Sequence, residues 1–242
     1  MIFMKTMLTN AAATRWLLAV SIFALGCIPA YDVKADVNDL GFYLGGRLLP
    51  AFATVEDESL SGGRGGSFGK DGDDFDTTAG VGLRAGYHWN KHGWPIRTDI
   101  EYIFRFRNDF DTTEQGDPKI GYKNDLQSHA LLFSAYYDFA TGTPWRPYVG
   151  AGIGWARNSS ETTRESNDNS VAAQTLTTDT DNFAYSVQLG ARVAISDSWV
   201  GDLGYRYVNM GEVESGRFSS GAEVTGDTHV SHDIVLGLDF LF

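Results

Sequence analysis

Six arginines and six carboxylates, Arg47, Arg84, Arg97, Arg105, Arg192 and Arg206 against Asp99, Glu101, Asp138, Asp202, Asp233 and Asp239, recur on one parity of otherwise apolar stretches. Opposite charges in near-equal number can satisfy each other in a confined space, whereas a buried charge without a partner is strongly penalised. A second constellation has the residue types of nucleophilic catalysis. His229, Ser231 and Asp233 alternate, so on a strand they share one face. Same-face neighbours stand roughly 6.6 Å apart at the backbone, so a hydrogen-bonded base and nucleophile would need favourable rotamers. The other histidines, His88, His92, His129 and His232, show no metal-ligand spacing and read as structural or interfacial. Cys27 is the single cysteine, which excludes an intrachain disulfide and a cysteine metal cluster.

Such charges need elements that hold them on one face, and composition narrows which elements those are. The 242 residues include 31 acidic and 19 basic side chains, a net charge of -12, which argues against nucleic acid as a partner. With 43% hydrophobic and 13% aromatic residues the chain is too apolar to be disordered. A membrane-spanning helix needs about 20 mostly apolar residues, and no such run follows residue 30.

The first 35 residues read as a cleavable secretory signal. Lys5 and Arg15 form a positive region, Trp16 to Ile28 an apolar one that Pro29 stops, and Val33-Lys34-Ala35 ends in a small residue. Cleavage after Ala35 is the expectation, with Ala30 and lipoprotein-type processing at Cys27 as alternatives. Residues 1–35 are thus assigned as signal peptide and 36–242 as one barrel domain, more acidic still and free of cysteine.

The mature part shows eight stretches with a two-residue apolar period and none with the 3.6-residue period of an amphipathic helix. They predict strands near 41–53, 77–90, 95–107, 126–140, 146–157, 182–195, 199–209 and 229–242. The connections alternate: 54–76, 108–125, 158–181 and 210–228 are long, whereas 91–94, 141–145 and 196–198 are short. Long loops at one end and tight turns at the other predict an all-β, eight-stranded antiparallel up-and-down transmembrane barrel with both termini at the short-turn, periplasmic end.

Which face is apolar orients the strands. In the last strand Ile234, Leu236, Leu238, Phe240 and Phe242 fall on one face and Asp233, Val235, Gly237, Asp239 and Leu241 on the other. Phe183, Tyr185, Val187 and Leu189 oppose Ala184, Ser186, Gln188 and Arg192 in the same way. Glycines and paired charges suit a narrow lumen and large apolar groups suit lipid, the inverse of a soluble ligand-binding barrel. Trp89, Trp94, Trp145 and Trp199 all fall at short-turn ends, Trp155 alone lying toward a long loop, and predict one interfacial aromatic girdle. Counting outward from each short turn predicts Arg192 opposite and paired with Asp202, Arg84 opposite Asp99 with Glu101 one inward step further, and Asp138 opposite Tyr148.

Pro147-Tyr148-Val149-Gly150-Ala151-Gly152-Ile153-Gly154, Tyr137-Asp138-Phe139 before it, Asp202-Leu203-Gly204-Tyr205-Arg206-Tyr207, and a last strand ending at Phe242 resemble the small outer-membrane β-barrel family. That family includes the OmpA transmembrane domain, OmpX-like and opacity-type surface antigens. The resemblance covers essentially all of 36–242. It implies that Phe242, with Phe240 and Leu238 in register, is read by the barrel-insertion machinery. It also implies residence in a Gram-negative outer membrane, in contact with outer-membrane lipid and lipopolysaccharide. The expected role is non-enzymatic: surface structure, with adhesion or contact with a host or extracellular ligand through the four long loops, and no cofactor. Two alternatives stay open, a small-solute porin-like channel and a lipid A-modifying enzyme, for which His229 and Ser231 resemble the His-x-Ser pair of outer-membrane deacylases.

Within the long connections, Ser61-Gly62-Gly63-Arg64-Gly65-Gly66 has no following lysine and Ser/Thr pair, so it is not a phosphate loop. Asp71, Asp73, Asp74 and Asp76 lack the spacing of a calcium loop. Residues 158–181, rich in Ser, Thr, Asn and Asp, predict a hydrated, flexible surface loop.

Overall fold

The computed structural model describes residues 41–61, 68–69, 76–114, 120–166, 173–218 and 223–242. The signal-like segment 1–35, the glycine stretch and Asp71, Asp73 and Asp74 lie outside these residues. Among the described residues eleven strands form one sheet that closes into a ring: β1 (Phe42–Ser61), β2 (Phe68–Gly69), β3 (Asp76–His88), β4 (Ile96–Arg105), β5 (Asn108–Glu114), β6 (Ile120–Asp138), β7 (Trp145–Ser166), β8 (Gln174–Ala194), β9 (Trp199–Asn209), β10 (Val213–Arg217) and β11 (Glu223–Leu241). Eight staves account for them. β4 and β5 make one stave interrupted at Phe106 and Arg107, β9 and β10 another, and β2 is a two-residue addition paired to β5.

All pairings are antiparallel, and the ring closes where β1 pairs with both β3 and β11. Closure leaves no free edge within the membrane, where an unpaired backbone amide or carbonyl has no water to turn to. Register partners traced once round the ring run from Leu44 to Ala85, Ile100, Phe133, Ile153, Tyr185, Asn209 and Val230, and return to β1 at Thr54, ten residues above the start. That stagger over eight staves tilts the strands by about 40° and leaves an interior only wide enough for side chains. Small residues line it for this reason: a Cβ at Gly45 would collide with the Asp239 carboxylate, and one at Gly204 would stand 2.8 Å from the Tyr148 hydroxyl.

Alternation sorts the two faces as the residue sizes imply. Leu83, Phe183, Val187 and Leu189 are exposed on the outside, while Arg84, Ala184, Ser186, Gln188 and Arg192 are buried within. Phe42 and Phe52 on β1 are both exposed, and at this tilt their separation spans about 25 Å of barrel axis, the height of an apolar membrane band. Trp89, Trp94 and Trp199 are exposed at the short-turn end and Trp145 is half-buried there. The aromatic set is not confined to that end: Phe52, Phe106, Trp155, Phe183 and Tyr185 are exposed at the upper margin as well.

Three expectations need correction. The first short turn carries a 3-10 helix, Trp89–His92, closed by Gly93 with φ of 75°, so the strands meet two residues later than the count predicts. Arg84 therefore faces Glu101, with Asp99 opposite Gly86; a shift of two keeps every side chain on its face. Second, residues 158–181 are not mainly loop. Cross-strand pairing runs without a break from Trp145↔Val193 to Arg164↔Gln174, and Ser159 to Asp179 (2.6 Å) and Thr163 to Thr175 (3.0 Å) hydrogen-bond across it. Polar β-branched residues carry a hairpin when each finds a partner opposite. Third, the other long connections also contain paired strand: 210–228 holds β10, which pairs with β11, β1 runs on to Ser61 beside β11, and within 108–125 β5 pairs with the start of β6. Asn158 donates to the carbonyls of Met210 (2.9 Å) and Glu212 (3.0 Å), and Met210, Val213 and Phe218 are buried.

Candidate functional site

All twelve charged residues singled out from sequence are buried inside the barrel. Long side chains reach across the lumen to strands far apart in sequence. Arg47 donates to Glu101 (2.7 Å) and to Asp202 (2.9 Å). Arg84 donates from Nε and Nη2 to the two oxygens of Asp239 (2.8 and 2.7 Å) and also to Asp202 (2.7 Å), with Asp99 at 3.6 Å. Arg206 bridges Glu101 (3.0 Å) and Asp233 (2.7 Å), and Arg105 places Nη2 2.6 Å from both Asp233 oxygens. Arg97 pairs with Asp138 at 3.4 Å. Arg192 is directly opposite Asp202 in register, but its guanidinium goes to Asp239 (2.9 Å) and His88 Nε2 (3.0 Å). The expected Arg192 to Asp202 pair is thus replaced by a cross-lumen one, because inward side chains on adjacent strands both point toward the axis and their charged ends are free to meet third parties.

Tyrosines and an amide complete the network; the sequence placed Tyr148 opposite Asp138 and Gln188 on the inward face, whereas Tyr43 and Tyr136 were not singled out. Tyr43 donates to Asp99 (2.8 Å) and Tyr148 to Asp202 (2.7 Å), Gln188 bonds Tyr148, and the Arg97 guanidinium lies 4.0 Å from the Tyr136 ring centroid. Inward parity, two or four residues from Arg47 or Asp138, is the signal that identifies Tyr43 and Tyr136. Apolar residues surround the charges: Leu49, Ile103, Leu132, Val208, Met210 and Val235 form one buried cluster, and Tyr43, Val200 and Leu241 another.

The nucleophile-like set does not assemble. Ser231 donates to Asp233 Oδ1 at 2.6 Å, and His229 Nδ1 is 3.4 Å from Ser128 Oγ; all four are buried on the lumen side, away from lipid acyl chains. Among the described residues no group of three His, Cys, Asp or Glu side chains is placed to hold a metal. Leu238, Phe240 and Phe242 stand exposed on the outer face of the last strand, with Phe240 packed edge-on against Trp199 at 5.1 Å.

Beside this closed antiparallel ring with its apolar exterior and ionic interior stands a sequence finding: a family model for an outer membrane protein beta-barrel domain matches residues 18–242. The chain belongs to this family. As an outer membrane β-barrel domain protein it has a relative in the outer membrane protein PagN of Salmonella typhimurium, 31% identical over 185 residues that cover 69% of this chain and 75% of PagN. A candidate adhesin of Rickettsia bellii is 31% identical over 117 residues, 46% of this chain; the match spans about half, 51%, of that protein. Among solved structures, Neisserial surface protein A superposes with a TM-score of 0.50 at 20% identity, covering 83% of this chain and 97% of that one, a likeness of fold. This family and its relatives place the protein in the Gram-negative outer membrane as a small eight-stranded barrel.

Proposed function

We propose that this outer membrane barrel is a non-enzymatic surface protein that raises a rigid β-sheet beyond the membrane for contact with an extracellular or host ligand, its lumen serving as a structural plug. The observation that carries the reading is the upper part of β8. Residues Gln174 to Ala184 pair with β7, while pairing of β8 with β9 begins only at Tyr185↔Asn209; β10 packs beside this edge without forming a ladder to it, and Asn182 donates to the Glu212 carbonyl at 2.8 Å. An edge of this kind offers backbone donors and acceptors to an incoming extended segment. The Rickettsia bellii relative, named as a candidate adhesin, supports the same direction.

In this reading residues 1–35 are the export signal, the short turns and both termini are periplasmic, and the long connections face outward. The channel alternative loses ground to the filled lumen, and planar bilayers should show no discrete openings. The deacylase alternative loses ground to the buried, unassembled His229 and Ser231. The test is adherence of a non-adherent strain displaying the protein to cultured cells, against a variant in which β7 and β8 are joined directly above Trp155 and Phe183. Adherence lost with a folded, heat-modifiable barrel is expected; adherence unchanged overturns the assignment to this sheet. Protease added to intact cells should cut at the long-connection end and spare 91–94 and 196–198.

A further inference from the structure

We propose that His129, Arg157 and Trp155 form a binding site for a phosphate group of the outer-leaflet glycolipid, where the lipid-facing belt meets the extracellular sheet. The inference rests on the orientation proposed above. Its starting point is a single row of register partners: Phe104, His129, Arg157 and Asp181 sit side by side on β4, β6, β7 and β8. Their parity is that of Leu131 and Phe133, both exposed, so the whole row faces outward. Trp155 and Phe183, exposed one outward step below Arg157 and Asp181, mark the upper edge of the apolar belt. An aromatic edge of this kind sits at headgroup level.

Two donors in that row have no acceptor among the described residues. Tyr102 Oη lies 2.6 Å from His129 Nδ1. A phenol hydroxyl is a stronger donor than an imidazole N–H and a poor acceptor, so Tyr102 donates and His129 carries its own proton on Nε2. Phe104 packs edge-on against the imidazole at 5.1 Å and holds its plane. Among the described residues Nε2 has no acceptor. Half-buried at headgroup level, that N–H is open to an acceptor from outside.

The neighbour of His129 supplies the charge. Arg157 spends Nε and Nη2 on the two Asp181 oxygens, 2.8 and 2.9 Å away, and its guanidinium lies 5.5 Å from the Trp155 ring centroid. Nη1 makes no hydrogen bond to the described residues, and the side chain is 44% exposed. Directly opposed residues in an antiparallel pair have Cβ atoms about 5 Å apart, so one tetrahedral phosphate can accept from both. A neutral ester carbonyl would use the histidine and leave the guanidinium idle.

The barrel contains its own control. Tyr205 and His232 repeat the tyrosine-to-Nδ1 contact at 2.6 Å, with Tyr207 edge-on at 5.5 Å. The register neighbours of His232 are Tyr207 and Phe52, neither of them charged. The second pair therefore has the donor without the cation.

Native mass spectrometry of the full barrel in detergent micelles, titrated with bis-phosphorylated lipid A, dephosphorylated lipid A or phosphatidylglycerol, tests the site. Retention of bis-phosphorylated over dephosphorylated lipid A by about tenfold is expected, the factor that one charge-assisted hydrogen bond supplies. His129→Phe and Arg157→Gln should each lose most of that preference, His232→Phe should keep it, and Asp181→Asn, which frees the guanidinium fork, should increase it. All four positions face outward, and heat-dependent gel mobility verifies that each variant is folded. Equal retention of the two lipid A forms, preference for phosphatidylglycerol, or a preference that survives in the His129→Phe/Arg157→Gln double variant would overturn the proposal. Micelle binding does not depend on which end faces the cell exterior, so protease cuts at the short turns would remove the orientation and leave this measurement standing by itself.

Discussion

Arg192 and Asp202 stand directly opposite each other on β8 and β9, yet Arg192 donates to Asp239 while Asp202 is held by Arg84 and Arg47 from β3 and β1. Backbone register and ionic pairing are separate in this lumen, because the charged ends of arginines extend past their strand neighbours to the axis, where charges from seven staves meet.

A double-mutant cycle reads that separation. Arg192→Gln with Asp239→Asn should show coupling of about 0.5 to 3 kcal/mol, the range for residues in direct contact. Arg192→Gln with Asp202→Asn should couple less. Urea unfolding in lipid vesicles measures both, and a larger coupling at Asp202 would contradict the side-chain geometry.

Asp233 is shared by Arg105, Arg206 and Ser231. Asp233→Asn should therefore cost about 3 to 5 kcal/mol, since it leaves buried cations without compensation. Adding Arg105→Met should recover part of the loss by removing one stranded charge. The same unfolding experiment decides it, and no recovery would mean that Arg105 has another source of stabilisation.

The Arg157 guanidinium beside Asp181 hydrogen-bonds its carboxylate and holds its pKa below the ordinary aspartate value, at the exposed base of the β7–β8 hairpin. A depressed carboxyl pKa contributes stability above the unfolded-state value and loses it as pH falls through the folded-state value. Amide exchange at the β7 and β8 bases should accordingly accelerate only on acidification below the usual aspartate range, after correction for intrinsic exchange. Salt should weaken the pair at neutral pH, and Asp181→Asn should abolish the acid dependence.

Phe242 is exposed and its ring stacks with Phe240 at 6.3 Å and Phe42 at 6.3 Å, contacts on the outside of the barrel. If it is a recognition element, Phe242→Ala lowers the folded fraction in cells severalfold while refolding into detergent in vitro proceeds nearly as before. Equal loss in both would make its contribution one of packing alone.

The strand count, the inward and outward faces and the identity of the twelve lumen charges were legible from a two-residue period read along the chain, because in a pleated strand parity alone fixes which side a residue takes. Register was legible only as far as the turns were regular. Counting from Asp197 aligned Arg192 with Asp202, whereas the extra helical turn at Trp89–His92 displaced Arg84 from Asp99 to Glu101. The hairpin above Trp155 was not legible because its serines and aspartates are weak strand formers and its threonines, although β-branched, alternate with polar residues and leave no apolar period; the cross-strand partners Ser159 with Asp179 and Thr163 with Thr175 appear only in the fold.

Local sequence, then, determined which residues are inside and which are outside. Who touches whom was decided by closure: a ten-residue stagger round eight staves brings Arg47 to Glu101 and Asp202, and sets His129 beside Arg157. Those distances depend on the shear of the whole ring, a global quantity that no single strand carries in its own residues.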